Sequence, residues 1–134
     1  MGNGKLKIYV GCSLTHAPAA FREHIDRLKT ELRKHYTVLD FQGLTKGTDQ
    51  DAFKNDTQCV RDCNLFVADC THPAIGLGYE LGVALEMGKP VLAVAEKDVK
   101  VTRLVLGIER PNFRIERYAN TADILRFVKE MISQ

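Results

Sequence analysis

The sequence predicts an α/β protein built on an open parallel sheet. Two apolar runs, Leu65 to Ala68 and Val91 to Ala95, are continuous rather than alternating, as in strands buried on both faces. Between them a helical pattern runs from Tyr79 to Met87 and stops at Gly88, where a C-terminal glycine is expected. Strand, helix, strand in that order is a βαβ unit, and the rest of the chain repeats the alternation.

Lys5 to Gly11 reads as the first strand, with Ile8 and Val10 facing one core and Tyr9 opposed to them. Gly11-Cys12-Ser13 turns the chain outward, and Leu14 to Pro18 is loop. Ala19 to His35 carries Phe21, Ile25, Leu28 and Leu32 at helical spacing, with charges on the other face. Thr37 to Phe41 is a short second strand, and polar Gln42 to Gln50 a loop. Asp51 is the expected N-cap of a helix over Ala52 to Asp62. Asn64 to Asp69 forms the third strand and Val91 to Ala95 the fourth, followed by a charged loop to Lys100. Val101 to Leu106 is a short helix ending at Gly107, and Asn112 to Arg117 an edge-like fifth strand. Thr121 caps a last helix, Ala122 to Ile132. Five strands with crossover helices on both faces predict a flavodoxin-like, doubly wound five-stranded parallel sheet of order 2-1-3-4-5.

With 134 residues, the chain is expected to form one domain over 1–134. Hydrophobic residues make up 45% and charged residues 27%, an ordinary balance for a globular protein. A net charge of +2 is too mild to argue for nucleic acid or a membrane surface as partner. No apolar run reaches membrane-spanning length, and Met1 to Lys5 shows no signal-peptide core, so a cytoplasmic location is expected. Met1-Gly2-Asn3 opens like an acylation site, but Leu6 stands where Ser or Thr is required. Cys12, Cys59, Cys63 and Cys70 lack C-x-x-C spacing and read as reduced thiols; no metal or cofactor is expected. His16, His24, His35 and His72 show no spacing for a metal triad, and His24 and His35 read as surface residues.

In an open parallel sheet, ligands bind outside the carboxyl ends of the strands. Those ends deliver Tyr9, Gly11 and Ser13 from the first strand, and Asp69, Thr71 and His72 from the third, while the glycine loop delivers Tyr79 and Glu80. Gly76-x-Gly78 fails as a dinucleotide fingerprint, because Leu81 stands where the third glycine belongs; it reads instead as backbone that a small ligand approaches closely. Glu80 is expected in the first helical turn behind these glycines. There its carboxylate either merely complements the helix dipole or, held ionised, serves as a nucleophile. Asp56 and Asp69 are further carboxylates at the same edge, and a pair of carboxylates is the recurrent machinery of glycoside cleavage. Their plainer readings are a helix-face charge and a turn residue.

Three segments carry a resemblance. Ile8 to Ser13, Asn55-Asp56 with Asp62 to Ala68, and Pro73 to Leu85 are similar to the nucleoside 2-deoxyribosyltransferase family, and most nearly to its 2′-deoxynucleoside 5′-monophosphate N-glycosidase branch. The resemblance implies double-displacement cleavage of an N-glycosidic bond. It makes Glu80 the nucleophile that captures C1′, Tyr9 the residue that holds it, and Asp56 the carboxylate that contacts the sugar and assists proton transfer. It also implies a homodimer or higher homo-oligomer with sites shared between subunits, Thr102 lying near a partner-donated serine. Substrate contacts are expected from Gly11, Ser13, Thr15, Asp69, Gly76, Gly78 and Thr102. Two phosphate contacts of that branch are replaced here: a serine by Ala74 and an arginine by Thr15. The expected substrate is a deoxynucleoside or its 5′-monophosphate, with water preferred as acceptor. The alternatives are sugar transfer between bases and a non-enzymatic nucleotide-sensing module.

Overall fold

The computed structural model describes residues 5–134, so the Met1–Gly4 segment, with its acylation-like start, lies outside the described residues. Five strands, β1 (Lys7–Cys12), β2 (Thr37–Leu39), β3 (Leu65–Asp69), β4 (Val91–Glu96) and β5 (Phe113–Tyr118), form one parallel sheet in the order β2-β1-β3-β4-β5. The helices are α1 (Ala19–Arg33), α2 (Asp49–Asp62), α3 (Ile75–Glu86), α4 (Arg103–Leu106) and α5 (Thr121–Ile132). This is the expected doubly wound order.

Strand alternation divides the core between two faces. Ile8, Val10, Leu65, Val67, Leu92 and Val94 pack against Phe21, Ile25 and Leu28 of α1 and Ile124 and Val128 of α5. Tyr9, Phe66 and Ala68 pack on the other face against Val60 of α2 and Leu77, Leu81 and Ala84 of α3. Gly11 is crowded from that second face: a Cβ there would lie 2.6 Å from the Phe66 ring. That distance excludes any side chain without repacking.

Several boundaries differ from expectation, each for a local reason. α2 begins at Asp49 rather than Ala52. Its N-cap is Thr48, whose hydroxyl accepts from Asp51 N while the Asp51 carboxylate accepts from Thr48 N, a reciprocal capping box. The last helix likewise takes Asn120, not Thr121, as its cap. The main correction concerns α3, which starts at Ile75 instead of Tyr79. Both glycines therefore lie inside the helix, and Glu80 falls in its second turn rather than its first. Glycine costs a helix about 1 kcal/mol per residue; here burial of Leu77 and Leu81 on the sheet offsets that cost. α3 ends as expected, with Gly88 at φ +72° and Lys89 N and Gly88 N donating to Ala84 O and Leu85 O. No described helix is long and apolar enough to cross a membrane.

Candidate active site

The sheet order reverses between β1 and β3, where chains leave the strand ends in opposite directions and open a crevice. A cleft of about 430 Å³ occupies it. Its walls are the loop after β1 (Cys12 to His16), the loop before α3 and that helix's first two turns (Pro73 to Leu77, Tyr79, Glu80), and the inward face of α2 (Ala52, Phe53, Asp56, Thr57) with Phe41, Gly43 and Leu44 before it.

Three polar side chains meet at the floor. Tyr9 points from β1 away from Ile8 and Val10, stacks on Phe66 with ring centroids 5.4 Å apart, and is almost wholly buried. Its hydroxyl donates to Glu80 Oε2 at 2.5 Å. Asp56 enters from α2; its Oδ1 accepts from Gln42 N at 2.8 Å and from Asn55 Nδ2 at 3.0 Å. Asn55 also donates to Asp40 O, which ties α2 to the end of β2. Oδ2 is engaged in neither bond.

Burial governs the electrostatics. Desolvation pushes the Glu80 carboxyl up to about 7 from an ordinary 4.5. The Tyr9 hydrogen bond opposes this shift and the Asp56 charge adds to it. The expectation of a carboxylate held ionised by the helix terminus is therefore corrected: Glu80 lies one turn too deep, and burial dominates. The Tyr9 phenol is itself pushed up, by burial first and then by Glu80, so it stays a hydrogen-bond donor.

Of the residues singled out in the sequence, Tyr9, Ser13, Thr15, Asp56, Gly76 and Glu80 line this cleft. Gly11, Gly78, Asp69 and Thr102 do not. Gly11 is pressed against Phe66. Gly78 has open space around it. Thr102 caps α4, accepting from Leu104 N. Asp69 is wholly buried behind the strand ends. Its Oδ1 accepts from Thr71 N and Thr71 Oγ1, and its Oδ2 from Tyr118 OH at 2.7 Å. His24 Nε2 lies 3.2 Å from the same Oδ2, so His24 is a buried residue of α1 and not the surface residue expected.

Sequence reasoning brought Tyr79 to the crevice but missed Phe53, its partner in an aromatic rim. Phe53 and Tyr79 are both about half exposed, and their rings lie 6.1 Å apart across the mouth of the cleft. Phe53 stands three residues before Asp56 on α2, and helical spacing alone puts the two on one face. His16 and Phe41 were also missed; both are loop residues without a periodic signal. The four cysteines are free thiols. Burial pushes Cys12 and Cys70 up to about 12, and Cys59 and Cys63 to about 11. Such thiols are poor nucleophiles at neutral pH. Among the described residues, no group of three or more His, Cys, Asp or Glu side chains is placed to hold a metal ion.

Comparison with known proteins gives a consistent picture. A family model described as nucleoside 2-deoxyribosyltransferase matches residues 8–121. A Thermofilum pendens protein, provisionally named 2′-deoxynucleoside 5′-phosphate N-hydrolase 1, is 26% identical over 95% of both chains. The mouse 5-hydroxymethyl-dUMP N-hydrolase is 42% identical over 48 residues, which are 36% of this chain and 28% of that one. Among solved structures, a CMP N-glycosidase of Clostridium botulinum superposes with a TM-score of 0.68 at 19% identity, covering 92% of this chain and 98% of the other. A 2-desoxiribosyltransferase from Leishmania mexicana does so with a TM-score of 0.60 at 16% identity, covering 87% and 81%. At those identities the two structures bear on the fold.

Proposed function

Since the chain belongs to the nucleoside 2-deoxyribosyltransferase family, we propose that it cleaves the N-glycosidic bond of a 2′-deoxynucleoside or its 5′-monophosphate through a covalent glycosyl-Glu80 intermediate, with water as the acceptor. The observation that carries this reading is the Tyr9–Glu80 hydrogen bond on the floor of a cleft that Asp56 shares.

In the first step the Glu80 carboxylate attacks C1′ and the C1′–N bond breaks. The base leaves with the bonding pair and takes a proton by way of Asp56. In the second step water attacks C1′, its proton passes to the same side, and the Glu80 carboxylate is released with the free sugar. The Tyr9 hydroxyl fixes one carboxylate oxygen, so that the other can face the sugar. Phe53 and Tyr79 offer flat apolar faces beside the two carboxylates, where a base attached to C1′ would lie. A 2′-hydroxyl would meet the Glu80–Tyr9 pair, which supports a preference for the 2-deoxy sugar. The working unit is read as a homodimer or larger, with Thr102 near the neighbouring site, and the compartment as cytoplasmic.

Incubating the protein with deoxynucleosides, ribonucleosides and their 5′-monophosphates, with labelled free base present, tests the reading. Free base and deoxyribose, or its phosphate, are expected. Efficient incorporation of label would instead mark sugar transfer between bases, the other activity of the family. Equal rates on ribose and deoxyribose substrates would reject the sugar preference.

A further inference from the structure

One charged side chain behind the cleft wall has no part in the chemistry above and is costly to keep there. Lys29 of α1 is 6% exposed, and a lysine is seldom buried so far unless something specific holds it. Its Nζ lies 3.6 Å over the centroid of the Phe41 ring and 3.5 Å from Asp40 Oδ1. Arg33 Nη2 binds the same Asp40 oxygen at 2.6 Å. Two cations of one helix therefore grip two consecutive residues, Asp40 and Phe41.

Those residues lie past the end of the sheet. β2 pairs with β1 at Thr37, Val38 and Leu39, so the strand ladder does not fix the backbone from Asp40 onward. Yet that backbone is what holds Asp56. Gln42 N donates to Asp56 Oδ1 at 2.8 Å. Asp40 O accepts from Asn55 Nδ2 at 3.0 Å, and the same amide donates to Asp56 Oδ1. The carboxylate is thus oriented from both ends of a three-residue segment whose middle ring, Phe41, sits under the Lys29 ammonium.

We infer that Lys29 is a positioning residue for Asp56: its ammonium clamps the Asp40–Gln42 segment, and that segment keeps the second Asp56 oxygen free for the reaction. The inference rests on the reading above, in which the leaving base takes its proton by way of Asp56. A role in stability alone is the rival, and it predicts differently. The Asp40 side chain is 59% exposed and keeps Arg33 as a partner, so replacing Lys29 by an apolar side chain of similar length strands no buried charge. Such replacements leave a fold little affected. A catalytic group misplaced by about 1 Å, in contrast, can cost on the order of 100-fold in rate.

The test compares Lys29→Met with wild type on 2′-deoxyguanosine and its 5′-monophosphate, and on the 7-methyl forms of both. When the C1′–N bond of a 7-methylated guanine breaks, the bonding pair neutralises its cationic ring, so the base leaves without a proton and does not need Asp56. Urea unfolding should find Lys29→Met close to wild type in stability. Its kcat on the unmethylated substrates should fall ~10-fold or more, while the methylated ones lose less than about twofold. Lys29→Arg, which keeps a cation over the ring, should restore most of the rate. In an Asp56→Asn background Lys29→Met should add no further loss, since both act through one group. An equal loss on the methylated substrates, independent multiplication of the two losses, or wild-type activity of Lys29→Met would each overturn the inference. Should Lys29→Met unfold, Asp40→Asn loosens the same clamp at an exposed position and carries the same comparison. If Asp56→Asn leaves turnover intact, or no substrate is cleaved, the reading of Asp56 fails instead. Hydrogen exchange then decides the clamp by itself: the Gln42 amide should exchange several-fold faster in Lys29→Met with the Val67 amide unchanged. Equal protection of Gln42 in both proteins would refute it.

Discussion

The Tyr9 hydroxyl donates to Glu80 Oε2 at 2.5 Å, joining the middle of β1 to the second turn of α3 across 71 residues of sequence. The bond places a neutral donor on a carboxyl group that burial would otherwise hold in its protonated form. Each partner therefore affects the other's charge state, and the consequences are measurable.

Replacing Glu80, the proposed nucleophile, should abolish turnover without unfolding the protein. Glu80→Ala is expected to lower kcat by several orders of magnitude, with an unchanged circular dichroism spectrum. Retention of activity within about tenfold, worth 1.4 kcal/mol of barrier, would remove Glu80 from the chemistry. Glu80→Gln should also alter stability in a pH-dependent way. The folded-state value of about 7 lies above the ordinary 4.5, so the wild-type protein loses stability as pH rises between those values. The glutamine variant does not ionise, so chemical denaturation should find it gaining on wild type from pH 5 to pH 8.

Activity should rise with pH as Glu80 ionises. The ascending limb of log kcat/KM is expected near pH 7, since attack on C1′ needs the carboxylate. Tyr9→Phe removes the hydrogen bond that lowers the Glu80 value, so the limb should move to higher pH and kcat should fall about 10- to 100-fold. A drop in rate with no movement of the limb would show that Tyr9 does not tune the nucleophile.

The buried Asp69 cluster should act on stability. Asp69→Ala leaves Thr71, Tyr118 and His24 without their shared acceptor, and a loss of about 2–4 kcal/mol is expected. Tyr118→Phe, which removes one donor, should cost about 1 kcal/mol. Equilibrium urea unfolding measures both. Near-wild-type stability for Asp69→Ala would assign the residue another role.

Self-association is expected at micromolar concentration. Ile75 is 95% exposed and Leu104 86%, a large apolar display for an isolated chain. Sedimentation velocity should find a dimer or larger species, and Ile75→Asp should shift it toward monomer. A fully active wild-type monomer would refute the shared site.

The order of the sheet, the opposition of Tyr9 to Ile8 and Val10, and the stop of α3 at Gly88 were legible in the sequence, because each follows from local periodicity or from the conformation of one residue. The resemblance also named the pair that the fold brings together, Tyr9 and Glu80. Tertiary structure alone decided where α3 begins, since Gly76 and Gly78 argue against helix and only the packing of Leu77 and Leu81 on the sheet overrules them. It alone raised the Glu80 carboxyl, because desolvation depends on what surrounds a group and not on its neighbours in sequence. And it alone separated two similar-looking aspartates. Asp56 faces the cleft because Gln42 and Asn55 hold one oxygen, while Asp69 is turned inward by partners 45 and 49 residues away, His24 and Tyr118.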